Sequence, residues 1–177
     1  MELSPIKAVL EEDGVITENS DAARELFNKN RFGSLLKDGR VRLSFYEALF
    51  LKEAGRLDVF DRRNHSLSFD MLLKKARKQN KDFWVCFVVF SDLRRRGYIV
   101  KTALKFGAPF RVYDRGVKPG EDHARWVLFP VHERKGLTWH EFSAKARVAH
   151  STKKRLLIAV VDDEGDVSYW ENKWIRP

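Results

Sequence analysis

The chain has 177 residues, 44% of them hydrophobic and 12% aromatic, enough for one large core or two small ones and too apolar for a disordered tail. Its 34 Lys and Arg outnumber 25 Asp and Glu, a formal charge of +9 that favours polyanionic partners, nucleic acid ahead of an anionic membrane. The longest apolar run, Phe83 to Phe90, is too short to span a bilayer, and the single Cys86 excludes a disulfide framework and a zinc site built on paired cysteines.

In chain order, Ser20 followed by Asp21-Ala-Ala-Arg-Glu-Leu-Phe reads as a cap and a short helix. Ser44-Phe-Tyr-Glu47 is a capping box, and the helix it opens runs through Phe50 and stops at Gly55. Ser68 caps a third helix that ends in the basic run from Lys74 to Lys78. Residues 82–96, stopped by Gly97, read as a buried helix, although the apolar run inside them equally fits a strand. Strand-like patterns follow at 99–104, 106–113, 124–131, 155–161 and 166–170. Between the third and fourth of these, Thr138-Trp-His-Glu141 is a second capping box, opening a helix to about His150. Trp139, Phe142, Ala146 and Ala149 give that helix one apolar face. Helices dominate before residue 82 and strands after 98. The expected class is mixed α/β, in two small domains covering residues 1–82 and 83–177. The first is helix-rich, and the second is a mixed sheet flanked by helices.

The residues that could do chemistry lie late in the chain. Tyr113 ends one predicted strand, a polar loop runs from Asp114 to Asp122, and His123 opens the next strand. If the two strands pair antiparallel, Tyr113 and His123 face each other across the mouth of one hairpin. Lys154 stands between the capped helix and the strand beginning near Leu156, so its ammonium can reach the same sheet edge. Tyr, His and Lys together suit RNA cleavage without a metal. The ribose 2′-hydroxyl must lose a proton, the 5′-oxygen must gain one, and the phosphorane between them carries extra negative charge. Histidine titrates near neutral pH and can exchange protons. Lysine can stabilise charge on phosphate oxygens. Tyrosine is the costly member: at pH 7 only about 0.1% is phenolate, a penalty of roughly 4 kcal/mol for a base. The alternative for each is ordinary: tyrosine at a strand end usually packs, and a lone loop histidine is usually solvated.

Longer strings change that balance. Lys105-Phe-Gly-Ala-Pro-Phe-Arg-Val-Tyr113, then His123, then Arg147-Val-Ala-His-Ser-Thr-Lys-Lys-Arg-Leu-Leu157 resemble the signature of the archaeal tRNA-splicing endonucleases, the tRNA-intron endonuclease family. Ala159-Val-Val-Asp-Asp-Glu-Gly-Asp166, Leu26-Phe-Asn-Lys-Asn-Arg-Phe-Gly33 and Leu43-Ser-Phe-Tyr-Glu-Ala-Leu-Phe50 are similar to further blocks of it, so the resemblance covers nearly the whole chain. It implies a mixed α/β N-terminal domain and a nuclease-like catalytic domain. It also implies that Tyr113 is general base, His123 general acid and Lys154 the electrostatic stabiliser. Lys153 is the competing lysine; Lys154 is preferred because the family's lysine lies two residues before the leucine that begins the apolar strand, here Leu156. The family sandwiches a flipped bulge base between side chains of two subunits. Arg147 matches the arginine position, and Trp170 or Tyr169 is the candidate second partner, since a base stacks on an aromatic ring at about 1–3 kcal/mol. A core role for Trp170 is the alternative.

The acidic turn Asp162, Asp163, Glu164 and Asp166 corresponds to a loop that, in the resembling family, inserts into a basic cleft of a neighbouring subunit. Four like charges in one turn of a basic chain call for a positive partner. An oligomer is therefore expected, a homotetramer or a heterotetramer with a structural subunit. The same acids could alternatively serve a magnesium-dependent DNA nuclease, or form a plain hairpin loop. His132, His140 and His150 lack ligand-like spacing, so neither a metal nor a cofactor is expected. The runs from Lys74 to Lys81 and from Arg94 to Arg96 are solvated helix ends or phosphate contacts. The function expected is cleavage of precursor tRNA at a bulge–helix–bulge, leaving 2′,3′-cyclic phosphate and 5′-hydroxyl ends, in the cytoplasm and away from membranes. A non-catalytic RNA-binding subunit of such a complex is the rival from another class.

Overall fold

The computed structural model describes residues 4–117, 120 and 122–177, with Phe106 described by its backbone alone. The chain separates into two compact units, Met1–Phe83 and Trp84–Pro177.

In the first unit the elements run β1 (Ile6–Leu10), β2 (Gly14–Thr17), α1 (Asp21–Asn28), β3 (Ser34–Leu35), β4 (Val41–Ser44), α2 (Phe45–Glu53), β5 (Leu57–Phe60), β6 (Ser66–Leu67) and α3 (Phe69–Arg77). The helices start at the expected caps: Ser20, Ser44 and Ser68 each accept a hydrogen bond from the backbone N–H three residues on. The six-stranded sheet, in order β3-β4-β2-β1-β5-β6, went unread in the sequence. Its strands are two to five residues long, too short for alternation to stand out from the flanking turns. Only β1 and β5 pair in parallel. The core is aliphatic, with Val15, Leu26, Leu43, Leu49 and Leu72 fully buried.

Two residues of the N-terminal strings explain each other. Glu47 is 5% exposed, yet its carboxylate accepts from Ser44 N and Ser44 Oγ (2.9 Å each) and from Gly33 N (2.7 Å). Gly33 has φ +61°, and a Cβ there would lie 2.4 Å from the Arg42 carbonyl oxygen. Only glycine brings this N–H to the carboxylate.

The second unit runs α4 (Phe83–Arg95), β7 (Ile99–Ala103), a 3₁₀ turn at Leu104–Phe106, β8 (Ala108–Tyr113), β9 (Trp126–His132), α5 (Trp139–Ser151), β10 (Arg155–Val161) and β11 (Val167–Asn172). The ambiguous apolar run is helix: 13 residues from Phe83 to Arg95 exceed the usual strand length. Sheet order is β11-β10-β9-β8-β7, with β9 and β10 parallel and the other pairs antiparallel. The parallel pair needs a crossover, and α5 supplies it.

The two helices cover opposite faces. Ala149 of α5, with Phe142 and Ala146 beside it, packs on Val127, Phe129, Leu156 and Ile158. On the other face the Phe90 ring of α4 lies 5.9 Å from Phe110, the register partner of Leu128. Tyr169 Oη donates to Asp92 Oδ2 at 2.7 Å, joining β11 to α4. The helix expected from the second capping box is present, with Thr138 and Glu141 exchanging their bonds. Its apolar face is shorter than expected, because Trp139, in the first turn, is 84% exposed. No described helix is long and apolar enough to cross a membrane.

Candidate active site

Strand register places the site at one end of the second sheet. Val112, Trp126 and Arg155 are in register across β8, β9 and β10. One step inward the row is Arg111, Val127 and Leu156. Just outside these rows lie Tyr113, Arg125 and Lys154, where Arg125 N donates to the Val112 carbonyl at 2.9 Å and Arg155 N to the Arg125 carbonyl at 3.0 Å. Side chains alternate between faces, so Arg111, Tyr113 and Lys154 all belong to the face that α5 covers. With adjacent strands roughly 4.8 Å apart, β8 and β10, separated by β9, lie about 10 Å apart, a span that a tyrosine and a lysine side chain can cover together.

The hairpin expectation needs a correction. Pairing of β8 with β9 ends at Val112 and Trp126, and Arg125 N donates to the Val112 carbonyl at 2.9 Å, so His123 lies beyond the paired stretch and not in register opposite Tyr113. His123 sits two residues further out, exposed, its backbone N–H donating to Asp122 Oδ1 at 2.6 Å. Its neighbour Ala124 packs with Ile99 and Tyr113, with Val117 against them, which seats the His123 segment on the tyrosine. Arg125 Nη1 and Asp114 Oδ1, 3.3 Å apart, close the neck of the loop. Tyr113 is only 4% exposed, with Arg111 Cζ 5.7 Å from its ring centroid. Lys118, Pro119 and Glu121 of this loop lie outside the described residues.

The end of α5 separates the two candidate lysines. Lys153 N donates to the His150 carbonyl and Lys154 N to the Ala149 carbonyl, the paired bonds of a Schellman turn. That turn needs a left-handed residue, and Lys153 supplies it at φ 55° where glycine is usual. Lys153 is exposed, whereas Lys154 is half-buried with Nζ donating to the Thr152 carbonyl at 2.9 Å. Burial first, and the charge of Arg111 second, hold the Lys154 ammonium below the usual lysine pKa.

Beside Lys154 opens a groove of about 460 Å³ between α5 and the strand ends, lined among others by His150, Lys153, Arg155, Lys173 and Trp174. The His150 and Trp174 rings meet edge-on at 4.2 Å, and Arg176 lies over Trp174 at 5.3 Å. Trp174 is 51% exposed and had no place in the sequence reading. The interleaving of Lys173, Trp174 and Arg176 was the available signal, a basic and aromatic segment of the kind that binds nucleic acid. Arg147 is exposed on α5 and is not among the groove's lining residues. Trp170 is 63% exposed, which rules out the core alternative. Tyr169 is committed to Asp92, and burial drives its phenol pKa upward, so it is a poor stacking partner.

The acidic turn is divided in its use. Asp162 Oδ1 accepts from Glu164 N and Asp166 N at 2.9 Å each, capping its own loop. Asp163 pairs with Arg134 and with His132 Nε2 at 3.3 Å. The positive partner expected from a neighbour is thus partly supplied by the same chain. Glu164 and Asp166 remain exposed at the tip. Among the described residues, no three His, Cys, Asp or Glu side chains cluster as metal ligands would.

Comparison with known proteins decides the family. The model of the tRNA intron endonuclease catalytic C-terminal domain matches residues 83–169, and that of the N-terminal domain matches residues 6–73. The chain belongs to the tRNA intron endonuclease family. A tRNA-splicing endonuclease of Thermococcus onnurineus is 38% identical over 172 residues, 97% of this chain and 98% of that protein. One of Pyrococcus horikoshii gives 38% over 172 residues with the same shares, and one of Pyrococcus furiosus 39% over 171 residues, 97% of each chain. As a member of this family the chain is an RNA endonuclease. In its second unit Tyr113 and Lys154 lie at one end of the sheet on the face that α5 covers, the segment before Ala124 carries His123 beside Tyr113, and Arg111 lies two residues before Tyr113 on β8.

Proposed function

We propose that the chain cleaves precursor tRNA at its intron–exon junctions, recognising a bulge–helix–bulge and leaving 2′,3′-cyclic phosphate and 5′-hydroxyl ends without a metal or cofactor. The observation that carries this reading is that Tyr113 and Lys154 fall at one end of the sheet on the α5 face, with Ala124, next to His123, packed on Tyr113. Tyr113 takes the 2′-hydroxyl proton, His123 protonates the departing 5′-oxygen, and Lys154 stabilises the phosphorane. The exposed side chains of Arg147 and Trp170 suit the grip on a flipped base, and Trp174 in the groove is a further stacking surface. Folded RNA is then recognised through its shape, backbone and 2′-hydroxyls.

The assembly proposed is a homotetramer, a heterotetramer with a structural subunit being the alternative, working in the cytoplasm. What favours an oligomer is the tip of the acidic turn, where Glu164 and Asp166 stay exposed after Asp162 and Asp163 are used within the chain. Complementary charge at such a contact sets register and partner choice more than affinity. One experiment tests both parts: the purified chain is incubated with intron-containing precursor tRNA in excess chelator, the ends are analysed, and its mass is measured by light scattering. Cleavage with cyclic phosphate ends by a tetramer is the expected result. Activity lost in chelator and restored by magnesium overturns the metal-free mechanism, and a monomeric active species overturns the assembly.

A further inference from the structure

Arg111 differs from the carboxylate-paired arginines of its unit. Arg96, Arg125, Arg134 and Arg155 each pair with a carboxylate. No ion pair of Arg111 occurs among the described residues, and its Nε is buried without a hydrogen-bond partner. A half-buried guanidinium with its Nε unpartnered is incompletely satisfied, a state that a bound oxyanion can relieve. Its position is fixed by more than chance. Arg111 is in the row of Val127 and Leu156, two residues before Tyr113 on β8, and Leu156 lies two residues after Lys154. The ring of Tyr113 lies against the guanidinium at 5.7 Å, restraining the plane of the fork. Lys154 is close enough for the Arg111 charge to act on it. Two cations on one face, beside a tyrosine and without a carboxylate between them among the described residues, form a cradle for a doubly charged oxyanion.

We propose that Arg111 holds a non-bridging oxygen of the scissile phosphate, a second cation acting beside Lys154. This rests on the cleavage reading above. In that reaction the 2′-oxygen–phosphorus bond forms and the phosphorus–5′-oxygen bond breaks. The 2′-hydroxyl proton leaves to the base and the 5′-oxygen takes one from the acid. Between those events the phosphorane carries one more negative charge than the diester. A planar guanidinium can meet two of its oxygens, and Lys154 as a point charge can meet the other side. Arg111 is then a catalytic residue in its own right, since it touches the reacting group.

The test is single-turnover cleavage of precursor tRNA by the parent, Arg111→Gln and Arg111→Lys, using each phosphorothioate diastereomer at the scissile phosphate. The Gln variant is expected to cleave about 10²–10³-fold more slowly, the usual cost of one oxyanion donor, with little change in substrate affinity. The Lys variant should regain part of that rate. The parent should prefer one diastereomer, and the Gln variant should lose the preference. Loss of the Arg111 charge also removes one influence lowering the Lys154 pKa, so the alkaline fall in rate should move to higher pH in the Gln variant. A purely structural arginine would move neither the stereochemical preference nor that limb. Parent-like rate, preference and alkaline limb in the Gln variant overturn the proposal. Should the Gln variant not fold, the diastereomer preference of the Lys variant decides, an unchanged preference counting against it. A parent that does not cleave precursor tRNA sinks the underlying reading, whereas an active parent with indifferent Arg111 variants sinks this inference alone.

Discussion

In the N-terminal unit the Glu47 carboxylate is under cover and collects hydrogen bonds from Ser44 and Gly33. In the C-terminal unit the Arg111 guanidinium is also partly under cover, with a buried Nε that collects none. Both belong to strings that resemble the same family. The first satisfies its polar groups internally and so holds a fold. The second leaves a buried donor open. Local inconsistency of that kind marks the place where a structure is built for something other than its own stability.

The contrast can be broken from either side. His123→Ala gives the largest expected effect: cleavage slows by about 10²–10⁴-fold, the worth of a positioned proton donor. Thermal stability should barely move, because His123 is exposed. A substrate with sulfur at the 5′ leaving position should hide most of the defect; an equally slow reaction on that substrate removes His123 from the acid role. Glu47→Ala should do the reverse. It strands buried donors of Ser44 and Gly33 and is expected to cost roughly 2–3 kcal/mol in denaturant unfolding, while the folded fraction cleaves at the parent rate. A stable Glu47→Ala protein would show that the N-terminal carboxylate is not the clasp described. The smallest effect is expected at Lys153→Gly, which relieves the left-handed turn and should raise stability by about 0.5–1 kcal/mol. A loss of stability there would mean that the Lys153 side chain contributes more than the backbone strain costs.

What could be read from the sequence follows the range of the interactions involved. The caps at Ser20, Ser44, Ser68 and Thr138 are local, three residues deep, and were legible. So were the strands of the second unit, five to seven residues long with continuous apolar runs. The strands of the first unit were too short to show a period. Tyr113, His123 and Lys154 were proposed from ordered strings, and their place in space depends on strand pairing, which no string states: the pairing of β8 with β9 stops at Val112 and Trp126, short of His123. Arg111 was in view inside a quoted string yet read only as strand, because its lack of a counter-ion is a fact of three dimensions. The internal partners of the acidic turn were hidden in the same way. The partners of Asp163 come from Arg134 and His132, on the far side of α5 in sequence.

The parallel pairing of β9 with β10 has a consequence for when the protein becomes able to act. Lys154 reaches its place only after the chain has passed through all of α5 and β10 has closed onto β9, a non-local contact that must be paid for in chain entropy before it returns anything. Tyr113 and the His123 segment, by contrast, come from one hairpin that can form early. A growing chain emerging from a ribosome therefore displays the hairpin with no lysine opposite it. On the catalytic roles proposed above, competence to cleave would wait until β10 has closed onto β9.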